Sequence, residues 1–353
     1  MFILEQGCAR AMSEIRFVDR NVELKALKEF CSSFRALPLY VYGPEGCGKT
    51  RLLKEFINLF NEYFGDEGIA IYIDALARKG IDEAVMGSLN MDVKALRRVA
   101  LEAIKDLNLP LGHALAESIG SLMDMIAEKL FRRKLEDKYV VIAIDDVVKS
   151  IGMNEVEKYI KWLYETMWKL SQEYRPRALN FIVTTSEGQS LELISRHRHA
   201  GISILWNLDR KSFEELFHEL NPPDDVDYED VGRLIGGNPG KLIELAKKYN
   251  WNIDMWFKSL LRRLRPLAFK IASRNLTEEL KLLIEDPDNT WHRASPRMEE
   301  LYRILVNENL FMYKWHYTID QREIPEDNSI GIGRYYAWQI PAYREALKQL
   351  VED

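Results

Sequence analysis

Residues 38–50 read PLYVYGPEGCGKT, and no other stretch limits the fold as strongly. The segment from Gly43 to Thr50 fits the spacing G-x-x-x-x-G-K-[ST]. It follows an apolar run, Leu39-Tyr40-Val41-Tyr42, and precedes RLLKEFINLFNEYF, whose apolar spacing is helical. Strand, glycine-rich turn and helix is the context in which such a loop cradles phosphates. Gly43, Gly46 and Gly48 allow the tight turn, and Pro44, Glu45 and Cys47 fill its remaining positions. The helix start adds unpaired amides and the positive end of a dipole. Lys49 is placed to reach β- and γ-phosphates, and the Thr50 hydroxyl to ligate Mg²⁺. ATP or ADP with Mg²⁺ is the expected ligand.

A second apolar run, Val140 to Ile144, ends in Asp145-Asp146. Behind a phosphate loop, such a strand supplies Asp145 for Mg²⁺ and Asp146 as the base that polarises attacking water. Alone, it would read as a strand ending in a capping pair. Further β-rich runs are GIAIYIDA at 68–75, NFIVTTSEG at 180–188 and GISILWNL at 201–208. Thr185 and Ser186 are candidates for contact with the γ-phosphate or its water, against an ordinary strand-end turn. Arg196 and Arg198 are candidates for neutralising transition-state charge, in cis or from a neighbour, against a solvated basic turn. Residues 82–137 read as irregular helix, and the charged tract 131–138 as a helix end. Five strands with intervening helices predict a three-layer α/β core with a mainly parallel sheet over 1–208.

Asp19 or Asn21 is expected to cap the helix that follows, and Asp19-Arg20 to form a polar turn near the base or ribose. Residues 209–275 read as a helical lid. Asp209 and Ser212 are placed to cap its first helix, and Gly236-Gly237-Asn238-Pro239-Gly240 signals a turn and a helix start. Residues 276–353 suit a winged-helix-like unit of helices and a hairpin. The lid and that unit are expected to connect in series, so that the C-terminal unit reaches the core only through the lid.

The chain has 353 residues, 47% hydrophobic, with a formal net charge of −6. A chain-wide basic surface is therefore absent, which argues against general nucleic-acid binding. The exception is 257–274, with six basic residues and no acidic ones. It reads as the wet face of a lid helix or as a contact for nucleic acid or acidic protein. Three cysteines and six histidines lack metal or disulfide spacing, which suits a reducing cytoplasm. No apolar run is long enough for a membrane span, and the start MFILEQGCAR is too short for a signal peptide.

Taken together, FVDR (17–20), GPEGCGKT (43–50), VVIAIDD (140–146), TTSEG (184–188) and GGNPGKL (236–242) carry a resemblance. In their order and spacing, the chain resembles the archaeal ATPase family of the AAA+-related, signal-transduction (STAND) class. The resemblance runs over nearly the whole chain and implies a nucleotide between core and lid, with Pro239 lying against it. The family usually has Asp-Glu where this chain has Asp145-Asp146, which weakens the expectation of fast hydrolysis. It also resembles the ATPase part of archaeal replication initiators. The expected activity is slow ATP hydrolysis driving a switch, with a protein partner or self-association as output. A DNA-binding ATPase is the alternative, and a small-molecule kinase or a non-enzymatic module are further readings.

Overall fold

The computed structural model describes residues 15–77, 80–89, 91–130, 135–186 and 188–352. The N-terminal decapeptide and residues 131–134 of the charged tract lie outside them.

The core alternates strands and helices. Helix α1 (Asn21–Cys31) leads to β1 (Leu39–Tyr42), the phosphate loop and α2 (Lys49–Phe64). Then come β2 (Gly68–Asp74), β3 (Val85–Gly87), α3 (Val93–Ile104), α4 (Leu111–Glu117) and α5 (Ile119–Lys129). Strand β4 (Tyr139–Asp145), α6 (Val147–Ile151), α7 (Val156–Tyr174), β5 (Ala178–Thr185), α8 (Gly188–Arg196) and β6 (Gly201–Ile204) complete it.

The strands lie in the order β3-β2-β4-β5-β1-β6, all parallel except β3, which runs antiparallel to β2. The sheet thus has six strands where the sequence suggests five. β3 is three residues long and sits in a tract that is otherwise helical, so it leaves no alternation to read. Both faces of the sheet are covered. Tyr40, Ile142 and Phe181 pack toward α3–α7, while Val41, Tyr72 and Val141 pack toward α1 and α2 with Phe56 and Phe60. Burial on both sides explains why these strands read as continuous apolar runs.

The lid comprises α9 (Arg210–Glu219), α10 (Tyr228–Ile235), α11 (Pro239–Lys248) and α12 (Ile253–Ser273). Asp209 caps α9 by accepting from the Ser212 amide at 2.8 Å. Asn238 caps α11, and Pro239 takes its first turn, where a missing amide costs nothing. The C-terminal part contains α13 (Thr277–Glu285), α14 (Pro296–Asn307), β7 (Phe311–Tyr313), β8 (Tyr336–Trp338) and α15 (Pro341–Glu352). β7 and β8 pair antiparallel, Phe311 opposite Trp338, giving a winged-helix-like element. Lid and C-terminal part share one apolar core running from Phe213 and Leu216 through Leu264 to Leu301 and Leu347.

The expected serial connection is overturned. Residues 317–319 extend the sheet beyond β6: the Ile204 amide donates to Tyr317 O at 2.9 Å, and the Ile319 amide to Ile204 O at 3.1 Å. Asn309 also accepts from the Gly188 amide at 3.1 Å. The exposed edge of β6 offers unpaired backbone groups, and this segment satisfies them. The capping expectation at 19–21 also changes. The residue before α1 is Arg20, with no side-chain cap, and Asp19 instead accepts from the Ser212 hydroxyl of the lid.

Candidate functional site

The parallel register puts the C-terminal ends of β1, β5, β4 and β2 along one edge of the sheet, with Tyr42 beside Thr185 and Asp74 beside Asp145. The phosphate loop leaves this edge after Tyr42. β5 separates β1 from β4, which places the loop's strand and that of Asp145 about 10 Å apart.

The loop is gripped from behind by its carbonyls. Asn238 Nδ2 donates to Glu45 O at 3.0 Å, and the Gly240 amide to Gly46 O at 2.9 Å. Arg20 Nη2 donates to Cys47 O at 3.0 Å and to Trp206 O at 2.7 Å. Lys49 Nζ donates to Gly43 O at 2.8 Å and Pro44 O at 3.0 Å, with Cys47 Sγ 3.8 Å away. Each carbonyl shares a rigid plane with the next residue's amide. Holding the carbonyls of Glu45 and Cys47 outward therefore sets the direction of the amides of Gly46 and Gly48. Two glycines make this contact possible: Gly46 has φ +85°, and a Cβ on Gly240 would lie 2.8 Å from Gly46 Cα. Asn238 Nδ2 also donates to Asn207 Oδ1 at 2.9 Å, and the Glu45 amide donates to Gln339 Oε1 at 3.1 Å.

Asp145 is buried, and both its oxygens accept hydrogen bonds. Tyr72 Oη donates to Oδ2 at 2.8 Å, and the Thr184 hydroxyl donates to Oδ1. Thr184 Oγ1 in turn accepts from the Asp146 amide at 3.0 Å. Asp146 stands in the left-handed region, φ 53°, and accepts from Ser186 Oγ at 3.2 Å. Burial raises its pKa from the ordinary aspartate value, and Asp145 adds to that shift. Thr185 faces away from this pair, with Oγ1 2.9 Å from Ser190 Oγ.

Arg196 and Arg198 are not brought to this edge. They precede Gly201, which pairs with Leu39 at the start of β1, so they lie at the opposite end of the sheet from the loop. Arg196 is exposed and sits 4.0 Å from Glu192. Within one chain they cannot serve the loop.

Asp19 and Arg20 line a cavity of about 990 Å³ with Trp206, Asp209, Tyr228 and Gly236. The phosphate loop and Pro239 are not among its walls, and the Arg20 side chain stands between cavity and loop. Pro239 is half-buried at the start of α11, between Asn238 and Gly240. Residues that sequence reasoning passes over are Tyr72, Thr184, Asn207, Asn238 and Gln339. Only Asn238 carried a local signal, as the residue before a helix-opening proline.

Residues 17–245 match the family described as an ATPase domain predominantly from Archaea, and the chain belongs to that family. An uncharacterized ATP-binding protein of Pyrococcus abyssi is 22% identical over 306 residues, covering 84% of this chain and 90% of that protein. Among solved structures, the Aeropyrum pernix ORC2 protein in ADPNP-ADP complexes aligns over 96% of each chain at 11% identity, TM-score 0.44. The replication initiator DnaA bound to AMPPCP and single-stranded DNA aligns over 78% of this chain and 71% of that one, at 18% identity and TM-score 0.35. The fold is that of an ATP-binding phosphate-loop protein. Among the described residues no helix is long and apolar enough to cross a membrane.

Proposed function

We propose that the chain is a Mg²⁺-ATP switch of low turnover, in which the state of the phosphate loop sets the attachment of the lid and the C-terminal unit. The observation that carries this reading is the shared peptide planes of Glu45-Gly46 and Gly46-Cys47. Their amide sides belong to the phosphate-binding turn, and their carbonyl sides are held by Asn238 and Gly240 of the lid. A peptide that turns toward a phosphate turns at its lid contact as well.

The residues suit Mg²⁺. The Asp145 carboxylate and the Thr50 hydroxyl are hard oxygen donors. Among the described residues, no group of three or more His, Cys, Asp or Glu could hold a metal alone. That matches an ion that takes most of its oxygens from water and nucleotide phosphates. When bound, Mg²⁺ offsets the charge of the β- and γ-phosphates. Lys49 leaves the carbonyls of Gly43 and Pro44 for the phosphates. Asp146 takes a proton from water as its oxygen bonds to the γ-phosphorus and the bond to the bridging oxygen breaks, giving ADP and phosphate. A raised pKa makes Asp146 a better base than an exposed aspartate, although its side chain is one methylene shorter than glutamate. The sequence and its resemblance alone assign Asp19, Arg20 and Pro239 to the base and sugar side; Arg20 bonds to Cys47 O behind the loop, and Pro239 is not a wall of the cavity that Asp19 lines. Ser186, which donates to Asp146, is the hydroxyl we place beside the base; Thr185, turned toward Ser190, is not, and Arg196 and Arg198 could act only on a neighbouring chain.

The test is a distance measurement. Spin labels on α2 and α15 are compared without nucleotide, with ADP and with an unhydrolysable ATP analogue. The switch predicts a shift between states, and identical distributions in all three would reduce the chain to an ATP-binding scaffold. A second reading, a DNA-binding ATPase, is favoured by one feature, the cations Lys258, Arg262 and Arg265 on α12, which form no ion pair among the described residues. DnaA is a replication initiator by its own description, and a DNA partner enters here as this second reading alone.

A further inference from the structure

The inner face of α12 is fixed by Trp256, Leu260, Leu264, Leu267 and Ile271, which pack into the core shared with α15. Its outer face carries a stripe at spacings of three and four: Met255, Lys258, Arg262, Arg265 and Phe269. All five are exposed, Met255 by 59% and Phe269 by 75%. Lys258, Arg262 and Arg265 form no ion pair among the described residues. Neighbouring cations are engaged: Arg263 on the same helix lies 5.6 Å over the Tyr343 ring, and Arg274, just past its end, pairs with Glu300 at 2.7 Å. No acidic residue occurs between Asp254 and Glu278, in a chain whose formal net charge is −6.

We propose that this stripe of α12 binds the sugar-phosphate backbone of a single-stranded nucleic acid, with Phe269 as a stacking platform for one base. The proposal deepens the DNA-binding reading and rests on it. Along the helix axis the three cations stand about 6 and 4.5 Å apart, a spacing that follows successive phosphates of one strand. The two apolar residues sit at the ends of the stripe, about 21 Å apart, with only cations between them. A protein partner would want the reverse, an apolar centre with charge at the rim. An exposed aromatic ring beside a cationic track is the pairing that holds unpaired bases. The helix usually expected to read a duplex is unsuited here. α14 has Arg297 bonded to Glu279 and Arg303 to Glu299, and its end packs against Gly188.

The test uses the full chain and a fluorescein-labelled oligothymidylate of about 25 nucleotides, followed by anisotropy across a salt series. Three phosphate contacts give a slope of log K against log salt of about −2. The triple variant Lys258→Gln, Arg262→Gln, Arg265→Gln should lose that slope and more than tenfold in affinity. Arg263→Gln, on the same helix but over Tyr343, should stay within about twofold of the wild type. Phe269→Ala should weaken binding about tenfold with the slope intact. Unchanged thermal midpoints and ATP affinity would show that the variants are folded. Wild-type binding that survives the triple variant would overturn the stripe while leaving the DNA-binding reading standing. No binding by the wild type would overturn both. Tighter binding to a duplex with no effect of Phe269→Ala would overturn the single-strand assignment. Binding to polyglutamate and to no oligonucleotide would overturn the nucleic-acid one.

Discussion

The amide of Glu45 donates to Gln339 Oε1 at 3.1 Å across 294 positions of sequence, joining the phosphate loop to the end of the C-terminal hairpin. Gln339 is buried, and its own carbonyl accepts from Asn207 Nδ2 at 2.9 Å. Its Nε2 has no partner among the described residues. A buried amide group left half-used is a cost, so the bond from Glu45 is what justifies a glutamine here. Gln339→Leu removes the acceptor and leaves the Glu45 amide unpaired, a loss of about 1–3 kcal/mol at this junction. Hydrogen exchange should show the Glu45 amide opening at least tenfold faster, with the amides of β4 unaffected. Unchanged protection at Glu45 would mean that other contacts hold the junction.

Arg20 is the strut behind the loop. Its guanidinium reaches Cys47 O, Trp206 O and, at 2.6 Å, Glu23 Oε1. It does so from a left-handed backbone, φ 74°, next to Asp19 at 56°. Two consecutive non-glycine residues in that region are a strained arrangement that surrounding contacts must hold. Arg20→Lys keeps the charge but cannot span three acceptors. We expect a stability loss of about 2 kcal/mol and weaker ATP binding for both Arg20→Lys and Arg20→Ala. Calorimetric titration with ATP checks this. Full rescue by lysine would show that charge alone matters.

Asp145 is oriented by two hydroxyls, and each can be removed without touching the carboxylate. Tyr72→Phe and Thr184→Val should each lower Mg²⁺-dependent nucleotide affinity by about tenfold, as is usual when the support of a metal ligand is lost. ATP binding in excess EDTA should stay as in the wild type. A loss that is equal with and without Mg²⁺ would place the effect in the fold of the sheet edge instead. By contrast, Lys49→Ala should abolish nucleotide binding under both conditions, and Asp146→Asn should spare binding and stop phosphate release.

What could be read from the sequence was local. The loop, the apolar strands and the turn before Pro239 are signalled by spacing within a few residues. Thr184 against Thr185 was not decidable in that way. β5 is buried on both faces, so no polar alternation tells which hydroxyl faces Asp145. Gln339 and Tyr72 act through partners 294 and 73 positions away, and such pairings leave no periodic trace. The distance of Arg196 and Arg198 from the loop, however, was legible. Residues that precede a parallel strand lie at the edge opposite to residues that follow one.

Asp288 offers the most remote test of the junction. Its carboxylate is buried and accepts three successive backbone amides, from Arg334 at 2.6 Å, Tyr335 at 2.9 Å and Tyr336 at 3.0 Å. These bonds fix the start of β8, which runs through Trp338 directly into Gln339. Asp288→Ala leaves three part-buried amides without an acceptor, a loss of about 3 kcal/mol. Asp288→Asn keeps an oxygen for Tyr335 and Tyr336 but turns an NH₂ group toward the Arg334 amide, so it should fall between alanine and wild type. Exchange at residues 334–336 should rise in that order. If β8 holds Gln339 against the loop, the Glu45 amide should follow the same order although no atom near it has changed. A rise at 334–336 with full protection at Glu45 would show that the hairpin and the loop contact are independent. The proposed switch would then have to act through Asn238 and Gly240 of the lid or through the contacts that Asn309 and residues 317–319 make with the core.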